Sequence, residues 1–127
     1  MNKRLNGLRG AVCSENTKEE ITKNVCTLFN QLVTLNSLSA DDIVSVQFTL
    51  TKELTVLNPA TALRLGETLI DTRDLALFCS QEAYIEGGMK NVIRRLVTAY
   101  TAEGEKKHNV YLNGAEKLRP DCRFTMK

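Results

Sequence analysis

Between residues 43 and 51 the chain reads IVSVQFTLT, where Val44, Val46, Phe48 and Leu50 alternate with Ser45, Gln47, Thr49 and Thr51. Successive side chains of a strand point to opposite faces, so this run predicts a strand with one apolar and one polar face. Such a strand belongs in a sheet covered on one side, and the cover must itself present an apolar stripe. The chain supplies that cover. Ile21, Val25, Leu28, Phe29 and Leu32 recur at helical spacing, with Lys, Glu, Asn and Gln between them. Thr17 and Glu20 stand ahead of the stripe as a capping box, the threonine capping and the glutamate reaching back. The helix runs to about Asn36.

The remaining elements follow from punctuation and period. LNGLRGAVC at 5–13 reads as a strand whose glycines let another segment come close. Asn58-Pro59 is an N-cap followed by proline at the first helical position, opening a helix through Ala62, Leu65 and Leu69. LALFCS at 75–80 reads as a short buried strand. Gly87-Gly88 then bends the chain into a third helix, with Met89, Val92, Ile93, Leu96, Val97 and Tyr100 as its apolar stripe. Glu103 to Lys107 form a solvated turn, and NVYLNGA from Asn109 a strand with an Asn-Gly turn. LRPDCRF is irregular or edge-like, since Pro120 cannot donate to a ladder. The expectation is an α+β fold: a mixed β-sheet with helices packed on one face. It forms a single domain over 1–127, with a flexible tail from about 122.

Composition narrows the function. Of 127 residues, 43% are apolar and 25% charged, at a net charge of +2, so no basic excess calls for nucleic acid or an anionic membrane. The N-terminus lacks the apolar core of a signal peptide, and no apolar run reaches the length of a membrane span. The cysteines Cys13, Cys26, Cys79 and Cys122 are scattered with no CxxC pair, and His108 is the one histidine. This predicts no metal site and four reduced thiols in a cytoplasmic protein.

The stretch 79–95, CSQEAYIEGGMKNVIRR, concentrates chemistry. Cys79 beside Glu82 suggests a nucleophile and its base, but a catalytic thiol also needs an orienting partner, and His108 could approach only through the fold. A cysteine at a strand end is commonly a small hydrophobe. The single histidine also argues against a Ser-His-Asp hydrolase. Gly87-Gly88 matches no phosphate-binding loop and reads as a tight turn. Arg9, Arg64, Arg94 and Arg119 are the cations that could serve an anionic ligand, although spacing alone does not make them converge.

GLRGAV at 7–12, NPATALR at 58–64, CSQE at 79–82, GGMKNVIR at 87–94 and HNVYL…LRPD from His108 to Asp121 occur in one order and spacing. Together they resemble the small monofunctional chorismate mutases of the AroH class, over nearly the whole chain. That resemblance implies a homotrimer forming a pseudo-α/β barrel, with active sites in clefts between subunits. The implied reaction is the [3,3] rearrangement of chorismate to prephenate for phenylalanine and tyrosine synthesis, without cofactor, metal or covalent intermediate. Its catalytic residues would be Arg94 at the ether oxygen, Glu82 at the ring hydroxyl, and Arg9, which with Tyr111 binds the side-chain carboxylate. Cys79 would lie beside the hydroxyl, Arg64 and Arg119 at the mouth, with Ala60 and Leu118 as walls. Three residues depart from the pattern: Asn58 replaces an aromatic, Thr61 a lysine and Phe78 a small polar residue, and the loop between Arg64 and Cys79 is slightly longer. These departures predict altered affinity. Asn58 and Thr61 also motivate a rival reading, a non-catalytic relative binding a small dicarboxylate, and a deaminase-like trimer on a related fold is a further alternative.

Overall fold

The structure is a computed structural model that describes residues 2–120. Asp121, Cys122 and the tail expected to be flexible lie outside the described residues. Five strands form one sheet in the order β3-β2-β4-β1-β5, where β1 is Lys3–Cys13, β2 Ile43–Leu50, β3 Ala76–Gln81, β4 Val92–Ala102 and β5 Val110–Leu112. Helix α1, Lys18–Leu35, joins β1 to β2, and α2, Pro59–Leu65, joins β2 to β3. The outer pairs β2–β3 and β1–β5 are parallel, and β4 runs antiparallel to both β1 and β2.

Helix α1 forms where the apolar spacing places it. Ile21, Val25, Leu28, Phe29 and Leu32 are all buried. At its start Glu20 N–H donates to Thr17 Oγ1 at 3.0 Å, so the threonine caps as expected. The reciprocal half of the box is absent, because Thr17 N–H instead donates to the Glu15 carbonyl at 2.9 Å. The helix lies over Leu8, Val12, Val46, Phe48, Ile93 and Val97, which form one apolar face of the sheet. Each such side chain fully removed from water contributes about 1.5–3 kcal/mol.

Helix α2 is shorter than its apolar pattern predicts. Asn58 caps it, its Oδ1 accepting from Ala60 N–H at 2.8 Å, but it stops at Gly66 and leaves Leu65 and Leu69 exposed. A Cβ on Gly66 would lie 2.4 Å from Cys26 Sγ and 2.8 Å from the Ala62 carbonyl oxygen. The end of α2 can therefore pack this tightly on α1 only with glycine there.

The predicted third helix is instead the central strand β4. Its apolar residues fit helical spacing, but Ile93, Arg95, Val97, Ala99 and Thr101 are buried in strict alternation. A buried arginine in that row hides the two-residue period from a reading based on hydrophobicity. Val92, Ile93, Val97, Thr98 and Tyr100 are β-branched or aromatic, and pairing with a strand on each side decides the outcome. Burial pushes the Arg95 pKa down to about 9, which leaves it protonated at neutral pH.

Two strands also differ in burial from expectation. A register shift between Ile43 and Ser45 turns Val44 out of the core row, leaving it half exposed. Strand β3, expected to be buried, is a sheet edge on which only Leu77 and Cys79 pack against the core, while Phe78 is 66% exposed. At the other edge, Asn113 and Gly114 both take positive φ, as an Asn-Gly turn requires. The turn leads into a 3-10 segment, Ala115–Leu118, which folds onto the face of the sheet away from the helices.

Candidate active site

The face of the sheet opposite the helices is largely uncovered. Register places Ser80, Thr49, Arg94, Ala11 and Tyr111 in one row across all five strands, on that open face. The neighbouring row carries Phe78, Gln47, Leu96 and Arg9. Arg9 and Arg94 are thus diagonal neighbours on adjacent strands, a relation that brings long side chains within reach of each other.

Glu82 enters this row from just beyond β3. Its N–H donates to the Leu50 carbonyl at 2.9 Å, carrying the ladder one residue past Gln81. Its Oε1 accepts from Arg94 Nε at 2.8 Å and from Thr49 Oγ1 at 2.8 Å. Among the described residues Oε2 has no hydrogen-bond partner, and neither do the two Nη atoms of Arg94. Each charged group therefore spends one side on its partner and offers the other. The Glu82 side chain is 22% exposed and that of Arg94 44%, a setting in which an ion pair adds ~0–1 kcal/mol to stability.

The segment between Glu82 and β4 is tied down at its end. Asn91 takes a positive φ, its N–H donating to Glu53 Oε1 at 2.9 Å and its carbonyl accepting from Ser14 N–H at 2.9 Å. Gly87, at φ 79°, lies in a tight turn closed by Gly88 N–H to the Ile85 carbonyl at 3.0 Å, and no helix follows. Lys52, Glu53, Glu82, Tyr84, Met89 and Arg94 line a cavity of about 90 Å³ beside the ion pair. Small-molecule sites usually enclose ~300–1,000 Å³, so this cavity is small beside them.

The structure divides the predicted site residues into two groups. Arg9, Glu82, Arg94 and Tyr111 share the open face, and Leu118 closes over one end of it with Ala11, Val92 and Tyr111. Asn58, Ala60 and Arg64 ride on α2, which packs on the opposite, helix-covered side. Cys79 is in register with buried Phe48 and packs against that same core. Phe78 faces the open side but at the far edge, and Arg119 follows the 3-10 segment. Within one chain the sheet separates Asn58, Ala60, Arg64 and Cys79 from Arg9, Glu82, Arg94 and Tyr111.

Cys79 has none of the features of a nucleophile. Burial pushes its thiol pKa up, away from the thiolate, and its Sγ lies 3.9 Å from the Ser80 carbonyl oxygen. Among the described residues no group of three or more His, Cys, Asp or Glu side chains is gathered to hold a metal ion. No helix is long and apolar enough to cross a membrane.

Sequence reasoning left three participants unnamed. Thr49 orients Glu82, and its place on the polar side of the alternating run was the signal available for it. Asn109 and Arg95 both bond the backbone of Arg9, and neither carries a local signal because the contacts span about a hundred residues.

Comparison with known proteins agrees with this geometry. The family model described as chorismate mutase type I matches residues 5–122. The chain is 31% identical to the chorismate mutase AroH of Bacillus subtilis, across 95% of this chain and 94% of that one. It is 32% identical to the chorismate mutase AroH of Thermus thermophilus, across 91% and 93% respectively. Among solved structures, a chorismate mutase from Clostridium thermocellum superposes with a TM-score of 0.77 at 33% identity, covering 87% of this chain and 97% of that one. The fold, the arrangement of the open face and these matches agree that the chain belongs to the chorismate mutase type I family.

Proposed function

We propose that the open face around Glu82 and Arg94 is the chemical centre of a chorismate mutase. The enzyme isomerises chorismate to prephenate by a non-covalent [3,3] rearrangement. The observation that supports this best is the half-used ion pair: a carboxylate oxygen and a guanidinium fork side by side, each with hydrogen-bonding capacity left over.

Chorismate carries two carboxylates, a ring hydroxyl and an enol ether. No proton has to move, so the enzyme must hold the compact diaxial conformer and stabilise charge that separates as the C–O bond breaks. Arg94 donates through its Nη atoms to the ether oxygen, where negative charge grows. Glu82, held by Thr49 and by Arg94 Nε, accepts from the ring hydroxyl and offsets positive charge developing on the ring. Arg9 and Tyr111 bind the side-chain carboxylate. Arginine suits the ether oxygen better than lysine because its rigid fork serves two acceptors at once.

The remaining residues complete the site from a neighbouring subunit. A homotrimer with clefts between subunits would bring Ala60, Phe78, Cys79 and Arg64 of one chain over Arg9, Glu82 and Arg94 of the next. Two observations support this: the small cavity within one chain, and the exposed apolar residues Leu5, Leu96 and Tyr100 on the uncovered face. Arg119 adds positive charge at the mouth. Asn58 serves as the helix cap and leaves the wall to Ala60 and Leu118. The enzyme works in the cytoplasm, in phenylalanine and tyrosine synthesis, without cofactor or metal.

The test is loss of the diene ultraviolet absorbance of chorismate on adding the protein with no metal. Calorimetric binding of chorismate or prephenate without any turnover would support the non-catalytic reading instead. Parent-like turnover by Arg94→Ala would refute the role given to Arg94.

A further inference from the structure

The layer between the sheet and α1 holds a guanidinium that the reaction does not use. Arg95 is 3% exposed, on the helix-facing side of β4, and among the described residues no carboxylate bonds it. Its Nη1 donates to the Leu28 carbonyl of α1 at 2.8 Å and its Nη2 to the Arg9 carbonyl at 3.0 Å, while Nε is buried with no hydrogen-bond partner. Burying a cation without a counter-ion opposes folding, and an apolar side chain of similar volume is often as good or better for stability. Stability alone therefore does not account for this residue.

Its position relative to Arg9 does. Pairing of β1 with β5 begins at Gly10 and Val110, so Arg9 stands at the very start of that ladder. Its N–H donates to Asn109 Oδ1 at 2.7 Å, and its carbonyl accepts from Arg95. Side chains thus hold both peptide groups flanking the Arg9 Cα, and those two planes set the direction of its Cβ. Gly10 makes the reach possible, since a Cβ there would lie 2.3 Å from Arg95 Nη2.

We infer that Arg95 and Asn109 are positioning residues that clamp the backbone on either side of Arg9 and so aim its guanidinium at the substrate. The inference rests on the reading of Arg9 as a carboxylate-binding residue of the mutase site.

The experiment is a pair of double-mutant cycles joining Arg9→Ala to Arg95→Met and to Asn109→Ala, read by steady-state kinetics and thermal melting. Arg95→Met is expected to melt at or above the parent while kcat/KM falls about tenfold, as a slightly misdirected binding group would cause. Asn109→Ala is expected to lose a smaller factor. In the Arg9→Ala background both losses should vanish, because there is no guanidinium left to aim. Losses that persist undiminished there would overturn the proposal. So would an Arg95→Met protein that melts lower yet keeps the parental kcat/KM, which would make Arg95 a core residue only. Should Arg95→Met fail to fold, Arg95→Lys takes its place, keeping a buried cation without the fork, and the same coupling to Arg9 is required. If Arg9→Ala alone retains the parental kcat/KM, the assignment of Arg9 to the site fails, a result distinct from additive losses.

Discussion

Glu82 Oε1 accepts from Arg94 Nε at 2.8 Å, which fixes the plane of the guanidinium and leaves its two Nη atoms directed by a partner rather than by solvent. A preorganised donor of this kind typically stabilises a developing oxyanion by ~3–4 kcal/mol. Arg94→Ala should therefore lower kcat by roughly 10²–10³. Because the pair is half exposed, the melting temperature should barely move. Kinetics and calorimetry on the same preparation test both halves of the statement.

Thr49 supplies the other bond to Glu82, at 2.8 Å. Thr49→Val keeps the shape and removes the donor. Losing one such bond is worth ~0.5–1.5 kcal/mol, so kcat/KM should fall by about twofold to tenfold. A valine enzyme with parental kinetics would show that Glu82 needs no support beyond Arg94.

The close approach at Gly10 predicts a stability effect distinct from the catalytic ones. A Cβ there would stand 2.6 Å from the Val110 carbonyl oxygen, which is backbone and cannot swing aside. Gly10→Ala should destabilise by about 1–3 kcal/mol through overpacking. Combining it with Arg95→Met should recover only part of that loss, because the Val110 contact remains. Chemical denaturation measures both.

Acid stability should depend on Asp42. Burial raises its carboxyl pKa, but hydrogen bonds from Lys3 and from the Ser39 amide and hydroxyl outweigh this, and the net shift is downward. A carboxylate with a depressed folded-state pKa contributes stability that is present above its unfolded value, near 3.9. That contribution is lost as pH falls through the lower folded-state value. Asp42→Asn should therefore be less stable than the parent at neutral pH, and the difference should shrink below about pH 4. Melting curves across that range read the sign directly.

A site shared between subunits can be tested by mixing. Arg94→Ala alters the open face and Arg64→Ala the helix-covered side. If one subunit supplies each side, assembling the two impaired proteins together should restore more activity than the sum of the two variants measured apart. A monomer by light scattering, or no gain on mixing, would remove the shared-site model.

Helix α1 and the alternation of β2 could be read from the sequence because both are local: a stripe at helical spacing and a period of two declare themselves within one element. The five matching blocks likewise pointed to Arg9, Glu82, Arg94 and Tyr111, all of which the structure places on one face. What needed the tertiary structure was longer in range. The third helix became β4 because flanking strands pair with all of it, and Arg95 in the buried row concealed its alternation. Cys79 moved to the helix side because register with Phe48 decides its face, and no local pattern carries register. The grip of Arg95 and Asn109 on Arg9 joins residues about a hundred positions apart. A sequence states which side chains are available and at what period. Only pairing and packing decide which of them share a face.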